Sequence, residues 1–132
     1  MVVVRANEVK SYWSPPPHHR ELKVLLSPKI HGTSKLIGMG LVTVPSGESG
    51  NPHHHQNEQE TWYIISGNGK LKIGKEEIKL EPDMVVVAPA GVEHQILNTG
   101  DEILKALFIF NPAGPEEPFT LSSVENAVPY SK

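Results

Sequence analysis

Cysteine is absent from the chain. Its absence excludes disulfide bridges, thiolate metal sites and a cysteine nucleophile, and it fits an expected cytoplasmic location. Long apolar runs are missing as well. The longest are Met84 to Pro89 and Ile103 to Phe110, the second interrupted by Lys105. Both fall well short of the roughly 20 residues that span a bilayer, so no membrane partner is expected. The opening MVVVRANEVK has no basic stretch leading into a long apolar core, and no signal peptide is expected. Arginine occurs only at Arg5 and Arg20, and the net charge is −3 with both signs mixed along the chain. Without a basic stripe, nucleic acid is not an expected partner. Sustained helical periodicity is lacking too.

What is present is turn chemistry and short β-rich runs. The 132 residues match the size of one domain, and 11 glycines and 12 prolines suit a turn-rich globular chain. Strands are predicted near Val2–Val4, Leu22–Leu26, Leu36–Val44, Thr61–Ser66, Lys70–Ile73, Glu77–Leu80, Met84–Ala88, Glu93–Asn98 and Ile103–Phe110. Turn signals separate them: SGNG at 66–69, EPD at 81–83, PAG at 89–91 and NTGD at 98–101. Many short strands at such spacing predict an antiparallel sandwich or barrel. The SPPPHH stretch, Ser14–His19, cannot enter a sheet interior and reads as a linker that carries the N-terminal strand away. One domain over 1–132 is expected, with a barrel core at about 34–110, an N-terminal strand and linker at 1–20, and an irregular tail at 111–132.

Three of the seven histidines stand in a row at 53–55. On an extended chain His53 and His55 leave the same face and His54 the other, which makes His54 a solvated residue. The polar QNEQ segment provides a bend, after which Glu60 can open the next strand pointing at the same interior. His94 follows the PAG turn on a strand whose His94, Ile96 and Asn98 share one face. Three imidazoles and one carboxylate make a divalent-metal donor set. Four protein ligands around an octahedral ion leave two positions for water, O₂ or a chelating substrate.

At these residues the chain resembles the cupin superfamily, as a small single-domain metal-binding member. The first cupin motif, G-x5-H-x-H-x3-4-E-x6-G, is met by Gly47, His53, His55, Glu60 and Gly67. The second, G-x5-P-x-G-x2-H-x3-N, is met by Pro89, Gly91, His94 and Asn98, with Asp83 in place of its leading glycine. The resemblance implies an all-β, antiparallel jelly-roll-like β-barrel (a double-stranded β-helix) with a metal held inside by His53, His55, Glu60 and His94. It also implies a homodimer, often with N-terminal strands exchanged between subunits.

Beside each sharp reading stands a plainer one. A tag remnant does not account for histidines that are internal and embedded in a matching motif. Trp62 and Ile64 share the parity of Glu60; Trp62 is read first as core and second as a pocket wall. Tyr63 and Ile65 then face outward, where they can form a subunit interface, and Phe108 and Phe110 pack in the barrel or at its mouth. Asn98 is read as satisfying turn hydrogen bonds. His18, His19 and His31 read as surface or linker residues, and Glu48 and Glu58 as solvated loop charges. Neither arginine lies near the motifs in sequence, so no arginine clamp for a carboxylate is assigned. The expected function is a metal-dependent enzyme acting on a small organic acid or other oxygenated metabolite, with dioxygenase, decarboxylase and isomerase chemistry all open. The expected cofactor is one divalent transition metal per chain, with Mn or Fe favoured and Zn, Ni, Co and Cu compatible. The alternative is a non-enzymatic module that binds or senses a small metabolite. A weaker one is a structural oligomer whose metal only stabilises the barrel.

Overall fold

The computed structural model describes residues 1–120. Its strands are β1 (Tyr12–Trp13), β2 (Glu21–Leu26), β3 (Gly38–Val44), β4 (Gln59–Ser66), β5 (Gly69–Ile73), β6 (Glu76–Leu80), β7 (Val85–Ala88), β8 (His94–Leu97) and β9 (Leu104–Asn111). One short helix, α1 (Pro28–His31), and 3-10 turns at Ala6–Glu8 and Glu117–Phe119 complete the order. Period-two alternation builds the strands. In β3 Gly38, Gly40, Val42 and Val44 are buried and the residues between them are half-buried; β9 repeats the pattern from Leu104 to Phe110.

All pairing is antiparallel, in two sheets. The larger runs β1-β2-β3-β9-β4-β7 and the smaller β6-β5-β8. Their inner faces share one core: Val42, Trp62, Ile64, Leu104 and Phe108 come from the larger sheet, Leu71, Leu80 and Ile96 from the smaller. The fold is thus an antiparallel β-barrel of the expected all-β class, and its interior is where the predicted ligands meet. No helix among the described residues is long and apolar enough to cross a membrane.

The N-terminus departs from expectation. Val2–Val4 forms no strand and its side chains are exposed. The edge of the larger sheet is taken instead by Tyr12–Trp13, with Tyr12 opposite Leu22 and Trp13 opposite Glu21. The triple-proline segment therefore joins two paired strands and does not lead away from the barrel. Ser14 closes that loop: its N–H donates to Arg20 O at 2.9 Å, and Arg20 N–H donates to Ser14 Oγ at 3.0 Å. His19 is buried, stacked on Trp13, with Nδ1 at 2.7 Å from Ser14 O, so it is not a surface residue.

The chain after β9 is also tied down. Glu116 is fully buried. Its carboxylate accepts hydrogen bonds from Ser27 Oγ at 2.8 Å and from Gly114 N–H at 2.6 Å. It occupies the space a side chain at Gly38 would need. This anchor sets Phe119 against Tyr12, at 5.4 Å between ring centroids, and at the wall of the interior cavity. Residues 121–132 of the expected irregular tail lie outside the described residues.

Candidate metal centre

The donor atoms of His53, His55, Glu60 and His94 all lie within 4.8 Å of one another and could hold a metal ion. They arrive from both sheets. Glu60 is on β4 of the larger sheet, buried, between Ala88 and Phe110 of its neighbouring strands. His94 opens β8 of the smaller sheet, and His53 sits directly opposite it on an isolated bridge. Apart from this bridge the 53–55 segment belongs to no strand, and β4 begins only at Gln59, after the polar bend. His55 is held from behind: its carbonyl accepts the Gly91 N–H at 2.7 Å, coupling the PAG turn to the ligand loop. The rings crowd one point, with centroids 4.5 Å apart for His53 and His94, 4.9 Å for His53 and His55, and 5.3 Å for His55 and His94.

Tautomers follow from the neighbours. His53 Nδ1 lies 2.8 Å from Asn51 O and His94 Nδ1 lies 3.2 Å from Val92 O. A carbonyl has no proton to give, so each Nδ1 carries the hydrogen and donates it. Neutral rings then present bare Nε2 lone pairs to the interior, the arrangement a metal-binding histidine adopts. His55 Nε2 and His94 Nε2 both stand 3.1 Å from the same Glu60 Oε1. With these nitrogens and the Glu60 oxygen converging at hydrogen-bond distance, a shared proton or a cation can sit between them, and the donor set fits a divalent ion.

The electrostatics agree. Burial, the largest influence on His53, pushes its imidazole down from 6.5 to about 4, with the Asn51 carbonyl opposing and His94 reinforcing. The His53 imidazole is therefore neutral through the physiological range. Burial also acts most strongly on Glu60 and pushes its carboxyl up, but the hydrogen bonds and charges of His55 and His94 together outweigh it and hold Glu60 below its ordinary value.

The centre opens into a cavity of about 180 Å³. Trp62 lines it as the parity argument expects, with its ring edge-on to His94 at 5.0 Å between centroids, and Phe108 and Phe110 complete that wall. Tyr63 and Ile65 are exposed on the outer face, as expected, and His54 points to solvent. Glu48 and Glu58 do not line the cavity. Asn98 is buried and works in the turn: its Nδ2 donates to Val44 O at 2.8 Å and Glu102 O at 2.7 Å, and its Oδ1 accepts from Gly100 N–H at 2.9 Å. The one motif departure also has a physical account. Asp83 has φ 68°, the left-handed conformation that glycine favours and Asp tolerates. Its carboxylate accepts a hydrogen bond from Tyr63 Oη.

Several cavity residues escaped the sequence reading, Arg20 and Phe119 among them. Arg20, far from both motifs in sequence, is buried and lines the cavity. A signal existed: Arg20, Leu22 and Val24 alternate, and the latter two are core-facing, which puts Arg20 on the inner face. Phe119, beyond the last strand, carried no local signal, because its placement depends on the buried Glu116.

Residues 40–110 match the family model described as a cupin domain, and the chain belongs to the cupin family. It is similar to the polyketide synthase CurC of Streptomyces cyaneus, at 28% identity over 109 residues, covering 83% of this chain and 69% of that protein. It is similar also to the tetracenomycin polyketide synthase protein TcmJ of Streptomyces glaucescens, at 29% identity over 102 residues, covering 75% and 68%. Among solved structures it resembles a predicted oxalate decarboxylase of Thermotoga maritima, with a TM-score of 0.76, 26% identity, and coverage of 85% of this chain and 100% of that one.

Proposed function

We propose that the chain is a metal-dependent cupin enzyme, with His53, His55, Glu60 and His94 as ligands to one divalent transition ion, acting on a small oxygenated organic molecule. The observation that carries this is a three-imidazole, one-carboxylate set whose donor atoms lie within 4.8 Å of one another beside an interior cavity. Mixed imidazole and carboxylate donors suit Mn or Fe, and also Zn, Ni, Co or Cu. Such an ion, when bound, polarises an oxygen of the substrate or lowers the pKa of a bound water. The protein's own part is to orient His53 and His94 through Asn51 O and Val92 O, to keep His53 neutral by burial, and to wall the site against water with Trp62, Phe108 and Phe110. The named relatives support the substrate class: polyketides and oxalate are both oxygen-rich compounds able to chelate a metal.

A second reading is a non-enzymatic module that binds or senses a metabolite. It is favoured by one feature: apart from Glu60, no carboxylate side chain lines the cavity, so the described residues provide no separate general acid or base there. We further propose a homodimer. Tyr63, Ile65, Val85 and Val87 expose an apolar patch on β4 and the edge strand β7, and the unpaired Val2–Val4 adds a second apolar segment. A monomer in light scattering at micromolar concentration would refute the dimer.

Elemental analysis of protein purified without a tag or chelator, beside a Glu60→Ala, His94→Ala double variant, tests the metal reading. About one equivalent of metal in the wild type alone is expected. O₂ uptake and CO₂ release on a panel of small acids then separate enzyme from binding module. No metal in the wild type, and none bound more tightly than millimolar, overturns the proposal.

A further inference from the structure

Arg20 is 8% exposed, yet among the described residues no carboxylate comes within ion-pair distance of it. Among the described residues its guanidinium makes one hydrogen bond, a long one, from Nη1 to Ser14 Oγ at 3.3 Å. The loop it belongs to does not need that contact, because Ser14 N–H to Arg20 O and Arg20 N–H to Ser14 Oγ already close it. Glu60 is the carboxylate whose charge Arg20 feels, and burial without a direct ion pair is unfavourable for a guanidinium, which an anionic ligand in the cavity would relieve. The side chain lies across Gly50, where a Cβ would stand 3.2 Å from Arg20 Nε and 3.3 Å from Cδ. Gly50 and Asn51 line the same cavity and lead directly into His53. Arg20 and the metal cluster therefore look into one chamber from different walls.

The charge balance points the same way. A divalent ion, the Glu60 carboxylate and Arg20 sum to two positive charges inside walls that are otherwise largely apolar, formed by Leu22, Ile96, Phe108 and Phe119. Only an anion neutralises that chamber without leaving a charge buried and unpaired. A guanidinium presents coplanar donors that match a carboxylate in bidentate fashion. The volume sets the size of the rest of the ligand: a dry apolar cavity of about 150 Å³ holds a benzene ring, and this one is about 180 Å³.

We propose that Arg20 is the anion anchor of the cavity, and that its ligand is a planar carboxylate with a body of about one ring. The carboxylate lies on Arg20 and a second oxygen of the ligand faces the metal ligands. This deepens the metal-dependent reading above and rests on it for the second contact, but the Arg20 contact is testable alone.

Benzoate and its neutral isostere benzamide are titrated calorimetrically into wild-type, Arg20→Met and Arg20→Lys proteins, each metal-loaded and chelator-treated, with metal content measured in parallel. Wild type is expected to prefer benzoate by roughly tenfold or more in both metal states, the size of one charge-assisted contact. Arg20→Met should lose that preference while keeping its metal and its benzamide affinity, and Arg20→Lys should keep part of it. Equal binding of the two probes by wild type, no benzoate binding at millimolar concentration, or a preference that survives in Arg20→Met overturns the proposal. The wild-type comparison decides the matter even if Arg20→Met fails to fold. Loss of the metal reading would show instead as absent metal with the benzoate preference intact.

Discussion

His53 and His94 face each other across a single antiparallel bridge, His53 N–H donating to His94 O at 3.1 Å and His94 N–H to His53 O at 2.8 Å. Two candidate ligands that are 41 positions apart in sequence are thus fixed against each other by the backbone, before any metal is considered. Glu60 arrives from the opposite sheet, so an ion bound here ties the two sheets together. Glu60→Gln preserves the shape and removes the charge. It is expected to lower metal occupancy at least tenfold under competition with a chelator, and to abolish the rise in melting temperature that metal gives the wild type. Unchanged occupancy would remove Glu60 from the ligand set.

The chelator-treated protein should lose stability in acid over a defined window. Half-buried His53 is expected to titrate at about 4 in the folded state and near 6.5 when unfolded. Below pH 6.5 the unfolded chain takes up a proton that the folded chain refuses. Stability therefore falls from pH 6.5 to about 4 and then levels off for this group. The linkage limit for such a shift is about 3 kcal/mol, and partial exposure of His53 reduces it to on the order of 2 kcal/mol. Glu60, held below its ordinary value, adds loss in the same direction once the pH drops below about 4.5. Urea melts at pH 7, 5.5 and 4.5 measure this; a midpoint that does not fall across the series contradicts it.

Asp83 stands where the motif has glycine, and its φ of 68° shows why few residues would serve. Asp83→Gly is expected to change stability by no more than about 0.5 kcal/mol, because relief of the left-handed conformation offsets loss of the Tyr63 hydrogen bond. Asp83→Ala keeps a Cβ in that conformation and loses the hydrogen bond, and should destabilise by about 1 kcal/mol. A glycine variant less stable than the alanine variant would show that the side-chain contact, and not the backbone, governs the position.

Asn98 bridges the carbonyls of Val44 and Glu102 from inside the protein. Asn98→Ala leaves those acceptors without their partner and should destabilise by roughly 2–4 kcal/mol. Metal content should stay at the wild-type level at temperatures where the variant is folded. Loss of metal from a folded Asn98→Ala protein would give this residue a role at the centre that its hydrogen bonds do not suggest.

What the sequence by itself determined is whatever depends on local periodicity and spacing. The parity of Glu60, Trp62 and Ile64 against Tyr63 and Ile65 came from the two-residue repeat of a strand, and the inner three are buried while the outer two are exposed. The four ligand candidates were legible because each lies at a set distance from a turn glycine or proline, and the fold gathers all four. Only the tertiary structure decided the rest. Burial of Arg20 depends on a proline loop that folds back onto β2, a contact no spacing rule encodes. The place of Phe119 depends on Glu116 reaching Ser27 across 89 positions of chain. The edge strand went to Tyr12–Trp13 and not to the more apolar Val2–Val4, because a sheet edge is won by the segment whose connection brings it into register. Strand parity and motif spacing are properties of neighbouring residues, whereas the lining of the cavity is a property of packing between segments far apart in sequence.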